Sequence, residues 1–247
     1  MLNNVSLFSE EIKNSFIFHI PHSSYMIPDE NYINKELIDI ELLYSTDIDV
    51  DKIFNVDGID RYICDFSRSF CDVERFLDAE QEEMTKYGRG VYYTKTYDGK
   101  SFRKYDEKFE QTIIKNYYLK YHNNLSKLIQ NKINDNGIAR IIDCHSFNQH
   151  KLYFEKDVNR PDICLGVDEK YTPQYLIDFI KLGFERHGLN VEINKPYSGS
   201  FYPLDVEGKF ETIMIEINKK LYMVDDKIVD TKNVVKLNKI INNIFTF

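Results

Sequence analysis

The chain of 247 residues has no tryptophan, only four cysteines and no apolar run approaching the ~20 residues of a membrane span. The cysteines lie between Cys64 and Cys164 and form no CxxC pair, which argues against a structural zinc motif. Charged side chains interrupt the first twenty residues, where a signal peptide needs an apolar core. We therefore expect a cytoplasmic protein with buried, reduced thiols and no membrane partner.

The chain also lacks an excess of positive charge. Lys and Arg total 32 against 40 Asp and Glu, which gives a formal net charge of −8. This balance argues against a nucleic-acid partner, which would require a basic surface. It does not exclude a small acidic substrate, because a binding site responds to local charge. With no repeat and no linker-like stretch, we expect a single domain over residues 1–247.

Short apolar runs bounded by polar or turn residues predict buried β-strands. Between them, apolar residues three and four apart predict helices over 106–133 and 232–247. Thr172 and Pro173 predict the start of a third helix that ends near His187. This alternation favours an α/β fold, with a mixed, mostly parallel twisted sheet and helices on both faces. The predicted strands are 15–20, 62–66, 139–144, 163–167, 190–193 and 212–217.

Three predicted strands end in polar side chains that an apolar core does not need. His22 follows the first strand, His145 ends the strand over 139–144, and Glu216 interrupts the last strand. Sheets of this class place their sites at the carboxyl ends of strands. Zinc hydrolases use histidine and carboxylate ligands, leave one position open, and often place a separate glutamate as the base. The pattern therefore favours a metal-dependent hydrolase.

Other common catalytic motifs are missing from the sequence. The absence of HExxH excludes a helix-borne zinc site of that type. The absence of GxSxG and GxxxxGK[ST] argues against a serine hydrolase of the α/β class and against a phosphate-binding loop. Ser23, Ser24 and Ser146 adjoin histidines, but Ser24 lacks the tight turn that would activate it. A serine nucleophile is therefore the weaker interpretation.

Several short polar motifs follow one another along the chain. They are His19-Ile20-Pro21-His22-Ser23-Ser24, Thr46-Asp47, Ser67-Arg68, Asp72-Val73-Glu74-Arg75, Asp143-Cys144-His145-Ser146, Arg160-Pro161-Asp162, Asn194-Lys195-Pro196-Tyr197-Ser198 and Ile215-Glu216-Ile217-Asn218. In this order they resemble the N-formylglutamate amidohydrolase family, over about residues 16 to 225. One such motif is weak support, whereas the ordered set is specific.

The resemblance implies a fold and a metal site. The family belongs to the zinc carboxypeptidase-like superfamily, which implies an eight-stranded mixed sheet. By resemblance, His22 and His145 bind one zinc ion, and Asp47 or another nearby carboxylate is the third ligand. Another divalent metal could replace zinc. Glu216 is then the general base that takes a proton from the attacking water.

The resemblance also implies a substrate, an N-acylated acidic amino acid such as N-formyl-L-glutamate, which yields L-glutamate and formate. Arginine suits its carboxylates, because the planar guanidinium binds a carboxylate through two hydrogen bonds. Arg68 and Arg75 occupy motif positions, and Arg103 matches more loosely. Tyr197 and Ser198 lie in a loop that could cover the substrate, although a plain turn fits that loop equally well.

Three further residues, His19, His122 and Asp143, are expected to support the site through hydrogen bonds. Glu74 stands where the family has asparagine before the arginine, so its carboxylate would neutralise Arg75 or repel an anionic substrate. A deacylase or carboxypeptidase-like hydrolase for another N-acyl or γ-glutamyl compound is therefore an alternative. A binding protein that kept the fold and lost turnover is another.

Overall fold

The computed structural model describes residues 10–78, 80–153, 155, 159–203 and 205–246. Its strands are β1 (Phe16–Ile20), β2 (Asp60–Ile63), β3 (Ala139–Phe147), β4 (Ile163–Gly166), β5 (Val191–Ile193), β6 (Phe210–Asn218), β7 (Met223–Val224) and β8 (Ile228–Val229). The main sheet has the order β2-β1-β3-β6-β4-β5. Strands β2, β1, β3 and β6 are parallel, and β4 pairs antiparallel with β6. The carboxyl ends of the four parallel strands therefore share one edge.

The helices cover both faces of this sheet. They are α1 (Glu10–Lys13), α2 (Ile38–Ser45), α3 (Val50–Ile53), α4 (Glu107–Ile113), α5 (Leu119–Asn136), α6 (Gln174–Glu185) and α7 (Thr231–Phe245). Alternation along β1 directs Phe16 and Phe18 into the core formed with α3, α6 and α7, and Ile17 into the core formed with α5. Within the described residues, no helix is both long and apolar enough to cross a membrane.

The predicted α/β class, with a mixed and mostly parallel sheet, is confirmed. The eight-stranded sheet implied by the resemblance is wrong for the part of the chain that is described, since the main sheet there has six strands. Strands β7 and β8 pair with each other in a separate small sheet. The long segment between β2 and α4 forms loops, with isolated bridges such as Lys95↔Ser101 in place of further strands.

Two predicted helices are confirmed with small changes at their boundaries. The helix predicted over 106–133 forms as α4 and α5, joined by a short π-helical segment at Ile114–Tyr118, which we call the π turn. Asp106 caps α4 by accepting a hydrogen bond from the Phe109 N–H at 2.8 Å. Gly137 ends α5 in the left-handed region, with φ of 73°. The C-terminal helix ends at Phe245, and residue 247 lies outside the described residues.

Two other boundaries were predicted wrongly. Pro173, not Thr172, is the N-cap of α6, because the Thr172 hydroxyl donates to the Thr212 carbonyl at 2.7 Å instead. Strand β2 begins at Asp60 rather than Tyr62, at an exposed edge where its polar residues give no apolar signal. The apolar residues after Ile63 are buried by loop packing rather than by strand pairing.

Candidate metal centre

Two histidine side chains meet at the carboxyl ends of neighbouring strands. His145 lies near the end of β3, and His22 follows β1 after Pro21. The parallel pairing of β1 with β3 brings both residues to the same edge of the sheet. Their Nδ1 atoms lie 3.3 Å apart, and the residues are only 1% and 4% exposed. Two buried imidazoles are thus directed at one point.

Asp47 brings a carboxylate to the same point. It lies just after α2, and its backbone N–H donates to the His22 carbonyl at 2.9 Å. Its Oδ2 lies 3.1 Å from Nδ1 of His145 and 3.8 Å from Nδ1 of His22. Burial raises the pKa of Asp47, but the hydrogen bond and charge of His145 outweigh burial and lower it. The three predicted ligands thus present donor atoms within 3.8 Å of one another.

An aspartate orients each histidine through its other ring nitrogen. Nε2 of His22 lies 2.9 Å from Oδ1 of Asp72, and Nε2 of His145 lies 3.0 Å from Oδ1 of Asp143. Such a carboxylate favours the proton on Nε2 and leaves the Nδ1 lone pair for a metal. Asp143, which the sequence predicts to support the site, makes this contact, and its role stays a prediction. Sequence alone assigns no role to Asp72, although its motif position two residues before Glu74 was a usable signal.

Asp72 also contacts two of the predicted substrate-binding arginines. Arg68 donates to its Oδ2 from Nε at 3.1 Å and from Nη2 at 3.0 Å, and Nε of Arg75 lies 3.5 Å from the same oxygen. Burial raises the pKa of Asp72, but both guanidiniums outweigh it and hold the pKa well below its usual range. The arginines are therefore fixed beside His22, and Asp72 offsets part of their charge.

Glu74 lies inside this cluster. Its Oε2 is 3.2 Å from Nε2 of His145 and 3.6 Å from Nδ1 of His22. Its Oε1 is 3.6 Å from Nδ1 of His19 and is buried without a hydrogen-bond partner among the described residues. The position that departs from the family pattern thus places a carboxylate between three histidines.

Helix α5 and the π turn before it hold the segment that carries Glu74. His122 Nε2 lies 2.8 Å from the Val73 carbonyl oxygen, and Tyr118 donates to the Arg75 carbonyl at 2.8 Å. These two hydrogen bonds fix the peptides on both sides of Glu74. His122 therefore contacts the backbone of the cluster, and π turns are frequent at functional sites.

Glu216 lies on β6 beside His145, its register partner on β3. The residue is 9% exposed, and its Oε2 has no hydrogen-bond partner in the described part of the chain. Burial raises the pKa of Glu216 to about 8, more than the nearby charge of His145 lowers it. A carboxylate with such a pKa is suited to exchange protons near neutral pH.

His19 supports the cluster from within β1. Its Nδ1 lies 2.9 Å from Oδ1 of Asp143, and its Nε2 lies 2.7 Å from the Tyr121 hydroxyl. The Phe201 ring packs on the imidazole at 4.5 Å, and His19 is fully buried. Asp143 thus contacts both His19 and His145.

The remaining predicted substrate contacts lie elsewhere. Arg103 donates to the carbonyls of Ser69 and Phe70 at 3.1 Å, and burial lowers its pKa to about 10. It therefore supports the loop between Arg68 and Asp72. The substrate-binding roles predicted for Arg103, Tyr197 and Ser198 stay predictions. Tyr197 forms hydrogen bonds with Glu155 and Arg160, and Ser198 is exposed.

Lys219 is a second supporting residue to which sequence assigns no role. Its ammonium is buried and donates to the Thr46 carbonyl and to Oδ1 of Asn148, both at 2.8 Å. Burial lowers its pKa. Lys219 thus fixes the peptide that precedes Asp47. Its place just after the Glu216 strand was the available signal.

These features define a class: an α/β protein with a buried histidine–carboxylate cluster at the carboxyl edge of its sheet. The sequence model of the N-formylglutamate amidohydrolase family matches residues 14–223, and the chain belongs to this family. No curated protein matches the chain.

Two solved structures share the fold. The N-formylglutamate amidohydrolase from Ralstonia eutropha JMP134 has a TM-score of 0.81 at 20% identity, covering 94% of this chain and 91% of that chain. The gene product Atu2144 from Agrobacterium tumefaciens has a TM-score of 0.60 at 16% identity, covering 96% and 92%. At these identities the similarity shows the fold alone.

Proposed function

We propose that the protein is a metal-dependent amidohydrolase that cleaves the amide bond of N-formyl-L-glutamate, giving L-glutamate and formate. The observation that carries the proposal is the meeting of His22, His145 and Asp47 at one point, beside the unpartnered carboxylate of Glu216. Family membership supports the amidohydrolase chemistry. Two arginines beside His22 support a substrate that carries carboxylates.

The donor set suits zinc. Two imidazole nitrogens and one carboxylate oxygen are a common ligand set of catalytic zinc sites, which keep a fourth position for water or substrate. The three donor atoms of His22, His145 and Asp47 lie 3.1 to 3.8 Å apart. One cation can contact all three atoms at once, which a single proton cannot do. Asp72 and Asp143 supply the outer hydrogen bonds that such ligands require.

The roles of the protein's own groups follow from their positions. Zinc, when bound, would supply Lewis-acid polarisation of the amide carbonyl and a lower pKa for water. Glu216 accepts a proton from the attacking water and passes a proton to the amide nitrogen. The water oxygen bonds to the formyl carbon, the C–N bond breaks, and the amine and formate leave. Arg68, held by Asp72, pairs with a substrate carboxylate.

The test combines metal content with hydrolysis. Purified protein should contain one or more equivalents of zinc, and His145→Ala should lower that content. A panel of N-formyl, N-acetyl and γ-glutamyl compounds is assayed for amine release, with the highest rate expected for N-formyl-L-glutamate. Zinc-loaded protein that is inactive on the whole panel would instead identify a binding protein that has lost turnover.

A second candidate is hydrolysis of a less acidic N-acyl compound by the same groups. The observation that favours it is Glu74, whose carboxylate lies 3.2 Å from His145 and adds negative charge where an acidic substrate would approach. The same panel separates the two candidates. A neutral amide cleaved faster than N-formyl-L-glutamate, with the order reversed by Glu74→Asn, would select the second.

A further inference from the structure

A second group of metal-ligating side chains adjoins the first. His19, Glu74 and Asp143 present ligand atoms that all lie within 4.8 Å of one another. Nδ1 of His19 is 2.9 Å from Oδ1 of Asp143 and 3.6 Å from Oε1 of Glu74. Ligands bonded at about 2.0 to 2.2 Å to one ion lie roughly 3 to 3.6 Å apart, so this spacing fits a cation.

Glu74 belongs to both groups. With His22 and His145 it forms the other set of ligand atoms within 4.8 Å of one another. Its two oxygens divide between the groups, since Oε2 lies 3.6 Å from Nδ1 of His22, a nitrogen offered to the first ion, and Oε1 lies 3.6 Å from Nδ1 of His19. A carboxylate oriented in this way can bridge two cations, as carboxylates do in two-metal sites.

The oxygen that faces the second group is the one left unsatisfied. Oε1 of Glu74 is buried and has no hydrogen-bond partner among the described residues. Burying such an acceptor is costly unless a donor or a cation compensates it. Glu74 and Asp143 both face His19, and both also lie within 3.2 Å of Nε2 of His145. A divalent cation would compensate both charges.

Outer contacts already hold two of these three side chains, His19 and Asp143, in place. Nε2 of His19 lies 2.7 Å from the Tyr121 hydroxyl, which leaves Nδ1 free to act as a ligand in one tautomer. Oδ2 of Asp143 accepts a hydrogen bond from the Phe201 N–H at 3.0 Å. Metal ligands are commonly oriented by such partners.

We propose that His19, Asp143 and Glu74 bind a second divalent cation, and that Glu74 is shared with the ion proposed at His22, His145 and Asp47. Mixed imidazole and carboxylate donors suit Zn²⁺ or Mn²⁺. This inference goes beyond the proposed function, because it concerns the number of ions rather than the substrate.

The experiment counts ions in the full-length protein. Chelator-treated protein is titrated with Zn²⁺, dialysed and analysed for zinc per chain. We expect two zinc ions in the natural sequence and one in Glu74→Gln, which keeps the size of the side chain. Glu83→Gln is the matched control, because Glu83 follows in the same segment with 88% of its side chain exposed, and it should keep two.

A second variant and a spectroscopic measurement distinguish loss of the second site from loss of the fold. His19→Gln should also bind one zinc ion while its circular dichroism stays that of the natural protein. With Mn²⁺, the natural protein should show the broadened electron paramagnetic resonance of two neighbouring ions, and Glu74→Gln the signal of one isolated ion.

Saturation at one ion in the natural sequence, or two ions retained in folded Glu74→Gln, would overturn the second site. Failure of the proposed function looks different. Two bound ions without amide hydrolysis would sink the substrate assignment and leave this site standing. Amide hydrolysis with one bound ion would overturn the second site and leave the proposed function standing.

Discussion

Two buried charged clusters of this protein differ in how completely they are hydrogen-bonded. One, the metal-centre cluster, is the candidate site around His22, His145 and Asp47, together with Asp72, Asp143, Glu74 and Glu216. The other, which we call the Glu41 cluster, consists of Glu41, Ser45, Ser69, Arg89 and the Tyr97 N–H. Glu41 Oε1 accepts from Arg89 at 2.9 Å and from Ser45 at 2.6 Å, and Oε2 accepts from Tyr97 N–H at 2.6 Å. Both oxygens of its only carboxylate thus have partners.

The metal-centre cluster is less completely hydrogen-bonded. Asp47, Asp72, Asp143, Glu74 and Glu216 surround it, and two carboxylate oxygens, on Glu74 and Glu216, are buried without partners among the described residues. A buried charge that is fully hydrogen-bonded within the chain serves structure. Buried acceptors without donors indicate a site for a ligand, since folding alone does not compensate them. Four changes, in order of expected effect, test this difference.

The largest effect is expected for Glu216→Gln. Loss of the general base should lower kcat for amide hydrolysis by about 10²- to 10⁴-fold. Metal content and thermal unfolding should change little, because Oε2 has no partner to lose. Glu207→Gln, at an exposed position just before β6, is the control and should keep kcat. A full hydrolytic rate in Glu216→Gln would remove Glu216 from the mechanism.

Glu41→Gln should act on stability instead. It removes the carboxylate charge that pairs with Arg89, which is buried at 3% exposure. Breaking such a pair costs about 3 to 5 kcal/mol, measured as the free energy of unfolding in urea. Glu36→Gln, an exposed change just before α2, should cost close to nothing. If Glu41→Gln lost metal rather than stability, the two clusters would not be distinct.

Asp72→Asn should weaken metal binding without abolishing it. The substitution removes the carboxylate that orients Nε2 of His22. Loss of such an outer partner typically lowers metal affinity by about 10- to 100-fold. Competition with a chelator of known affinity measures the change. An affinity equal to that of the natural sequence would mean that Asp72 serves the arginines alone.

Ser45→Ala should have the smallest effect. The Ser45 hydroxyl donates to Glu41 and accepts from Arg89 at 2.8 Å. Glu41 and Arg89 keep their direct contact with each other, so the expected cost is about 1 kcal/mol in the free energy of unfolding. A cost as large as that of Glu41→Gln would show that the hydroxyl, rather than the ion pair, stabilises this cluster.

The sequence predicts the parts of the fold that depend on local pattern. Apolar runs mark β1, β3 and β6, and spacing of three and four marks α5 and α7. It fails at β2, where an exposed edge strand begins with polar residues. It also misses the π turn inside the long helix, because counting apolar residues three and four apart does not separate a π turn from an α-helical one.

The sequence by itself determined the α/β class, the family and the strand ends that carry His22, His145 and Glu216, because each follows from a contiguous pattern. Only the tertiary structure decided which carboxylate faces which ring nitrogen. Asp72 reaches His22 through the path of the loop after β2. Glu74 is held in the cluster because the π turn and α5, far along the chain, bond to the peptides beside it. Such contacts depend on loop paths and packing, which no local pattern encodes.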